Sequence, residues 1–226
     1  MLSLNSCVRT CEGPKCQNSF STLEINDLLI QSGGAGVSTT DLEGVPPELQ
    51  KIGKDSITLV VAESSKYIEI ITKLLRFVGS QKFSVIYVTV SRPYESLVEL
   101  LSKNRISSSR IFFIDAITPT LGGNPKRVKN CIFVASPSNL TDLGIALEQA
   151  ITSLGEVNKL LIFDSMSTIA IYHNLRTVLQ FGHFLTVRVR LHKVQGVLMA
   201  VEAESEKTIL DNLSQFCDRT VVWKLE

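Results

Sequence analysis

The feature that most constrains the fold is an alternation, from Ser56 onward, of short apolar runs with longer stretches of helical periodicity. The first apolar run, residues 57–62, precedes a stretch with apolar side chains three and four positions apart, which Gly79 ends. Unbroken runs of this length predict strands buried on both faces. Their alternation with helices predicts an α/β fold: a mostly parallel sheet with helices on both faces, in three αβα layers.

The same pattern predicts the other elements. We expect further strands over residues 85–90, 111–114, 131–135, 159–163, 197–203 and 220–223, and helices over residues 64–78, 93–102, 139–154 and 205–216. Helical material is also expected from Ser165 to about Val194. Residues 186–192 alternate polar and apolar side chains as a strand would, but we predict helix because Gly196 and a better strand follow directly.

Residues 1–50 differ from the rest in composition. They contain a Gly-rich stretch at 33–36, a Ser/Thr run and Pro46-Pro47, all of which interrupt regular structure, and only residues 23–30 look ordered. We therefore predict a partly flexible leader over residues 1–50 that wraps the core or stays mobile, and a core domain over residues 51–226.

Three of the five cysteines lie in this leader, at Cys7, Cys11 and Cys16. Their C-x3-C-x4-C spacing is wider than that of usual zinc-binding pairs, and no histidine lies nearby. The odd total count argues against a disulfide framework. We expect free thiols and no metal site, with a metal or redox role as the alternative.

The net charge and the hydropathy of the chain argue against nucleic acid and membranes as partners. The formal net charge is +1, which provides no footprint for nucleic acid or an anionic membrane surface. A loop cluster of Lys126, Arg127 and Lys129 is expected to be solvated, with an acidic partner or nucleic acid as the weaker option. No apolar run approaches the ~20 residues of a bilayer span, and no secretory signal is evident. We expect a cytoplasmic protein without membrane contact.

Ligands of parallel α/β sheets usually bind where the strands end. The predicted strand exits are Ala62-Glu63, Ser91-Arg92, Asp115 and Asp164-Ser165. These are therefore the candidate positions for a site.

At these exits the chain resembles the RecA-like ATPases, especially their KaiC-type branch, which is common in archaea. The resemblance covers about residues 55–225. Residues 56–61 look like the strand that leads into the phosphate loop, and residues 85–90 like the strand that delivers the catalytic acidic pair. Residues 159–165 look like the Walker B strand ending in Asp164-Ser165, and Asp218 precedes a closing strand as in that family. The resemblance implies a RecA-like core that associates side by side.

The phosphate loop departs from that family. It requires G-x-x-x-x-G-K-[ST], whose glycines expose backbone N–H groups, whose Lys neutralises phosphate charge and whose hydroxyl binds Mg²⁺. The corresponding residues here are Ala62, Glu63, Ser64, Ser65 and Lys66, with neither glycine present. We interpret them as a strand-to-helix turn in which Ser64 or Ser65 is the helix N-cap.

The residues at the positions of the catalytic side chains of KaiC-type ATPases differ as well. Ile68 occupies the position of the Lys, and Glu69 that of the Mg²⁺-binding hydroxyl. Ser91 and Arg92 occupy the positions of the acidic pair that orients the attacking water, and neither can act as a carboxylate base.

Three functional hypotheses follow. The first is a pseudo-ATPase: a RecA/KaiC-like domain with no catalytic residues and no cofactor, which acts on a protein partner or as a homo-oligomer, and in which Asp164 and Ser165 cap a helix. The second is an atypical nucleotide-binding protein or weak ATPase, which would use the helix N-terminus near Ser64, with Asp164 and Mg²⁺ nearby. A recombination-accessory DNA binder is a third option that the near-neutral charge disfavours.

Overall fold

The computed structural model describes residues 42–50, 55–81, 83–122, 125, 127–155, 158–203 and 207–225. Within this part of the chain the strands are β1 (Ile57–Glu63), β2 (Ser84–Thr89), β3 (Ile111–Asp115), β4 (Cys131–Phe133), β5 (Lys159–Asp164), β6 (Gln195–Glu202) and β7 (Arg219–Trp223). The α-helices are α1 (Pro47–Gln50), α2 (Tyr67–Ser80), α3 (Tyr94–Lys103), α4 (Leu140–Ser153), α5 (Met166–Tyr172), α6 (Leu175–Leu191) and α7 (Lys207–Ser214). Short 3₁₀ turns cover Ser64–Lys66 and Thr118–Leu121.

All seven strands form one parallel sheet in the order β4-β3-β2-β5-β6-β1-β7. The predicted α/β fold class is therefore confirmed. After β1 the chain crosses to β2, builds outward to β4, and then returns to insert β5 and β6 between β2 and β1. Because the strands are parallel, their carboxyl ends lie at one edge of the sheet, and the exits of β2 and β5 are neighbours there.

Each face of the sheet is covered by its own apolar cluster. One cluster contains buried side chains of α4, α5, α6 and α7, among them Leu147, Ile169 and Leu185. The other contains buried side chains of α2 and α3, among them Leu74 and Leu101. Alternate residues of the strands point into the two clusters, which makes the three αβα layers expected from the sequence.

Two helix boundaries differ from the sequence prediction. Helix α2 begins at Tyr67 and not at Ser64, because a 3₁₀ turn precedes it. The predicted helical region 165–194 is divided at His173, where Asn174 caps α6 by accepting a hydrogen bond from the Thr177 N–H at 3.0 Å. The ambiguous segment is helical as predicted, since α6 extends to Leu191.

Residues 42–50, which fall within the predicted leader, pack against the core. Val45 and Leu49 are buried in the apolar cluster beside α2, and Leu42 packs against the same cluster. Cys7, Cys11, Cys16 and Lys126 lie outside the described residues. No helix among the described residues combines the length and apolar character that a membrane crossing requires.

Candidate functional site

Asp164 lies at the centre of the strand exits. It is the last residue of β5, and its side chain is fully buried. One carboxylate oxygen accepts a hydrogen bond from the hydroxyl of Tyr67, and the other accepts one from the hydroxyl of Tyr87. Tyr67 is the first residue of α2, and Tyr87 lies in β2 beside β5. The carboxylate therefore joins α2, β2 and β5.

Burial and the neighbouring polar groups change the pKa of this carboxyl group in opposite directions. Burial raises the pKa of Asp164 above its ordinary value, and the two tyrosine hydroxyls, the Arg92 guanidinium and the Ser91 side chain offset only part of that rise. Burial and the adjacent Asp164 carboxylate together raise the pKa of both Tyr67 and Tyr87 well above the ordinary value. Both tyrosines therefore keep their protons at neutral pH and act as donors to the carboxylate.

The turn after β1 is short. Only Ser64, Ser65 and Lys66 separate Glu63, the end of the strand, from Tyr67. A loop that wraps around a phosphate group requires a longer, glycine-containing segment whose N–H groups converge. Here the segment is a 3₁₀ turn, and the residue after it directs its hydroxyl to Asp164.

Neither serine of this turn caps α2. Lys66 occupies the N-cap position and makes no side-chain cap, while the Ser65 hydroxyl donates to the Glu63 carboxylate. The prediction that Ser64 or Ser65 is the cap is therefore wrong. Ile68 is half-buried, and Glu69 is exposed, with its carboxylate 4.0 Å from the Lys73 ammonium group.

The two residues after Val90 face the site differently. Ser91 is exposed and Arg92 is half-buried, and both the Ser91 side chain and the Arg92 guanidinium lower the pKa of Asp164. The Arg92 backbone is fixed by Thr89, whose hydroxyl accepts from the Arg92 N–H at 3.1 Å and donates to the Arg92 carbonyl at 2.7 Å. A cation thus stands where the KaiC-type pattern has a carboxylate.

The remaining candidates, Ser165 and Asp115, accept hydrogen bonds from backbone N–H groups. Ser165 caps α5 by accepting from the Thr168 N–H at 3.3 Å, as predicted. Asp164 does not share that cap, contrary to the prediction, because both of its oxygens face tyrosine hydroxyls. Asp115 is buried and accepts from the N–H groups of Tyr94 and Ile117, each at 2.7 Å.

The sequence analysis missed Tyr67 and Tyr87. The available signal was Tyr87, which lies between the apolar residues Ile86 and Val88 of a buried strand, because a buried hydroxyl requires a partner. Among the described residues, no group of three or more His, Cys, Asp or Glu lies close enough to hold a metal ion.

Comparisons with known proteins agree with this architecture. The model of a family of unknown function, DUF7504, matches residues 57–222. No curated protein matches the sequence. The fold is similar to that of a KaiC-like protein, PH0186, from the hyperthermophilic archaeon Pyrococcus horikoshii OT3, with a TM-score of 0.58, 12% identity, and coverage of 84% of this chain and 81% of that one.

It is also similar to the uncharacterized protein PH0321 from Pyrococcus horikoshii, solved in complex with an unknown peptide. That comparison has a TM-score of 0.57 and 14% identity, and covers 76% of this chain and 78% of that one. At these identities the two likenesses establish a RecA/KaiC-like fold.

Proposed function

Because this chain belongs to the family of unknown function DUF7504, we propose its function from its own geometry: it is a non-catalytic RecA/KaiC-like domain that acts by binding proteins. Its role is regulation, signalling or scaffolding, either with a partner or as a homo-oligomer. It uses no nucleotide and no metal.

The observation that supports this proposal most strongly is the occupied carboxylate of Asp164. A Walker B aspartate acts through Mg²⁺ and its water shell, and therefore needs at least one accessible oxygen. Here both oxygens accept hydroxyls from the protein itself, and the side chain is fully buried. A hydrated cation would have to displace Tyr67 or Tyr87 to reach it.

The surrounding charges support the same proposal. Oriented water attack requires a general base, and the residue beside Asp164 is the Arg92 cation. Glu63 at the end of β1 would also place a negative charge beside the phosphates of a bound nucleotide. With the short turn after β1, three independent features oppose phosphoryl transfer.

Binding of a polypeptide is the role that we propose for this core. The structural neighbour PH0321 was crystallised with a peptide, which supports polypeptide binding on a fold of this kind. The likeness is one of fold alone, so it identifies neither the peptide nor the surface used here.

The test is the size of the native protein in cell extract with and without nucleotide. We expect size-exclusion chromatography to place the chain in a complex larger than a monomer, and we expect the complex to persist after either Mg·ATP addition or nucleotide removal with apyrase. Elution as a monomer, or a complex that forms only with nucleotide, would contradict the proposal.

A further inference from the structure

An open apolar groove lies between α4 and α6, on the face of the sheet opposite α2. It has a volume of about 550 Å³, and its lining includes Ile145, Phe181 and Phe184. The rings of Phe181 and Phe184 are stacked, with centroids 6.0 Å apart, and Ile145 is 53% exposed. A cavity of ~150 Å³ holds a benzene-sized group, so this groove has room for an apolar side chain of another molecule.

The same face carries projecting apolar side chains. On α6, Phe184, Val187 and Leu191 follow one another at i, i+3 and i+7, which places them on one side of the helix, along the edge of the groove. Val187 is 46% exposed and Leu191 is 65% exposed. One surface therefore supplies both a cavity and side chains of the size that fits it.

Of the described residues that line the groove, one is acidic and one is basic. The Arg188 guanidinium lies 3.8 Å from Glu148 Oε2, and the two side chains are 40% and 36% exposed. The ring Nε2 of His192 lies 2.6 Å from Glu148 Oε1, and Arg188 also lies over the Phe184 ring, 5.4 Å from its centroid. Since 3.8 Å is longer than a hydrogen bond, Glu148 Oε2 and the Arg188 guanidinium each retain capacity for a second partner.

A two-fold axis through the pair of Glu148 and Arg188 makes this face complementary to itself. Such an axis sets the pair beside its own copy in reverse order, so that each carboxylate approaches the guanidinium of Arg188 of the partner subunit. A strongly acidic or strongly basic partner would instead meet one like charge at this position. The charges therefore favour a second copy of this chain as the occupant.

The apolar side chains match about the same axis. Helix α6 rises about 1.5 Å per residue, so Phe184 and Leu191 lie about 5 Å along the helix on opposite sides of the midpoint between Val187 and Arg188. The two α6 helices run antiparallel about the axis, which places Leu191 of the partner subunit level with Phe184, in the groove. By symmetry, Leu191 of the first protomer enters the groove of its partner.

We propose that the face formed by α4 and α6 binds a second copy of this chain in a two-fold symmetric dimer. Leu191 of each protomer fills the groove of the other, and each Glu148 pairs with the partner's Arg188. This inference rests on the proposed function, in which the chain acts by binding proteins, and it identifies one partner and the surface that binds it.

Sedimentation velocity of the purified full chain tests the dimer. We expect the unmodified chain to be dimeric at micromolar concentration. Leu191→Asp places a carboxylate in the groove of the partner and is expected to weaken the dimer about 100-fold or more. Ile171→Asp is the matched control, because Ile171 is 78% exposed on α5 and lies outside the groove lining, so the dimer should persist. Thermal melting first establishes that both variants are folded.

Reversal of the two charges tests the two-fold arrangement. Glu148→Arg gives the face two cations and Arg188→Glu gives it two anions, so each variant alone is expected to dimerise about tenfold or more weakly than the unmodified chain. An equimolar mixture of the two variants should form a mixed dimer of restored affinity, because each cationic face then meets an anionic one.

Three outcomes would overturn the proposal. They are a monomeric unmodified chain, equal association of Leu191→Asp and Ile171→Asp, and a mixture that associates no more tightly than the separate charge variants. A purified monomer that still elutes in a larger complex in cell extract would contradict this dimer alone. A monomer in both settings would contradict the proposed function as well.

Discussion

Replacing Asp164 with alanine is expected to lower the free energy of unfolding by about 3–5 kcal/mol, because the change leaves the buried hydroxyls of Tyr67 and Tyr87 without their acceptor. It also leaves the half-buried Arg92 guanidinium without the carboxylate that it faces. Urea unfolding measured by circular dichroism gives the difference, provided that the dependence on urea concentration is unchanged.

Two further variants test whether the loss of stability comes from the hydrogen bonds of Asp164. Asp164→Asn keeps the shape and one acceptor oxygen, so we expect an intermediate loss. Asp211→Ala changes an exposed aspartate of α7 and is expected to change stability by about 0.5 kcal/mol or less. An aspartate retained for metal binding would show the opposite behaviour, with unchanged or increased stability in Asp164→Ala, since catalytic groups are often held at a cost to the fold.

Raising the pH above 10 is expected to destabilise the protein by up to about 1.4 kcal/mol per pH unit for each of Tyr67 and Tyr87. Burial, and next the Asp164 carboxylate, raise the pKa of each tyrosine in the folded state. Between the unfolded pKa, about 10, and the raised folded pKa, the native state holds protons that the unfolded state has lost. The stabilisation is complete below pH 10 and is lost as the pH rises through the folded pKa.

Tyr87→Phe tests the contribution of one tyrosine to the loss of stability above pH 10. It removes one of the two titrating hydroxyls, so the slope of unfolding free energy against pH above 10 should become less steep than in the unmodified chain. Tyr172→Phe is the control, because Tyr172 is exposed on α5 and does not contact Asp164. Identical slopes in Tyr87→Phe and the unmodified chain would show that the buried hydroxyl is not coupled to folding.

The sheet was predictable because its determinants are local. Each central strand contains a short apolar run, such as Leu160 to Phe163 in β5. Each amphipathic helix shows its buried face in the spacing of residues such as Ile70, Leu74 and Val78. Packing of Val45 and Leu49 on the core was harder to anticipate, because Pro46-Pro47 separates them and interrupts any periodic pattern.

The contacts of Asp164 could not be predicted from local sequence patterns. The absence of phosphate-loop glycines is visible in the sequence, but the groups that occupy the space instead come from distant positions. Tyr67 is 97 residues and Tyr87 is 77 residues from Asp164 along the chain, and only the strand order brings them together. The same holds for Arg92, whose charge could be noted but whose approach to Asp164 depends on β2 and β5 being neighbours.

The measurement that tests the central claim most directly is the thermal unfolding of the full chain with and without Mg·ATP at millimolar concentration. If the tyrosines occupy the Asp164 carboxylate at the end of β5, unfolding should be the same in both conditions. Binding with a dissociation constant 100-fold below the ligand concentration would instead add about 2.7 kcal/mol of stability. A Mg-dependent shift of that size, lost in Asp164→Asn, would contradict the account.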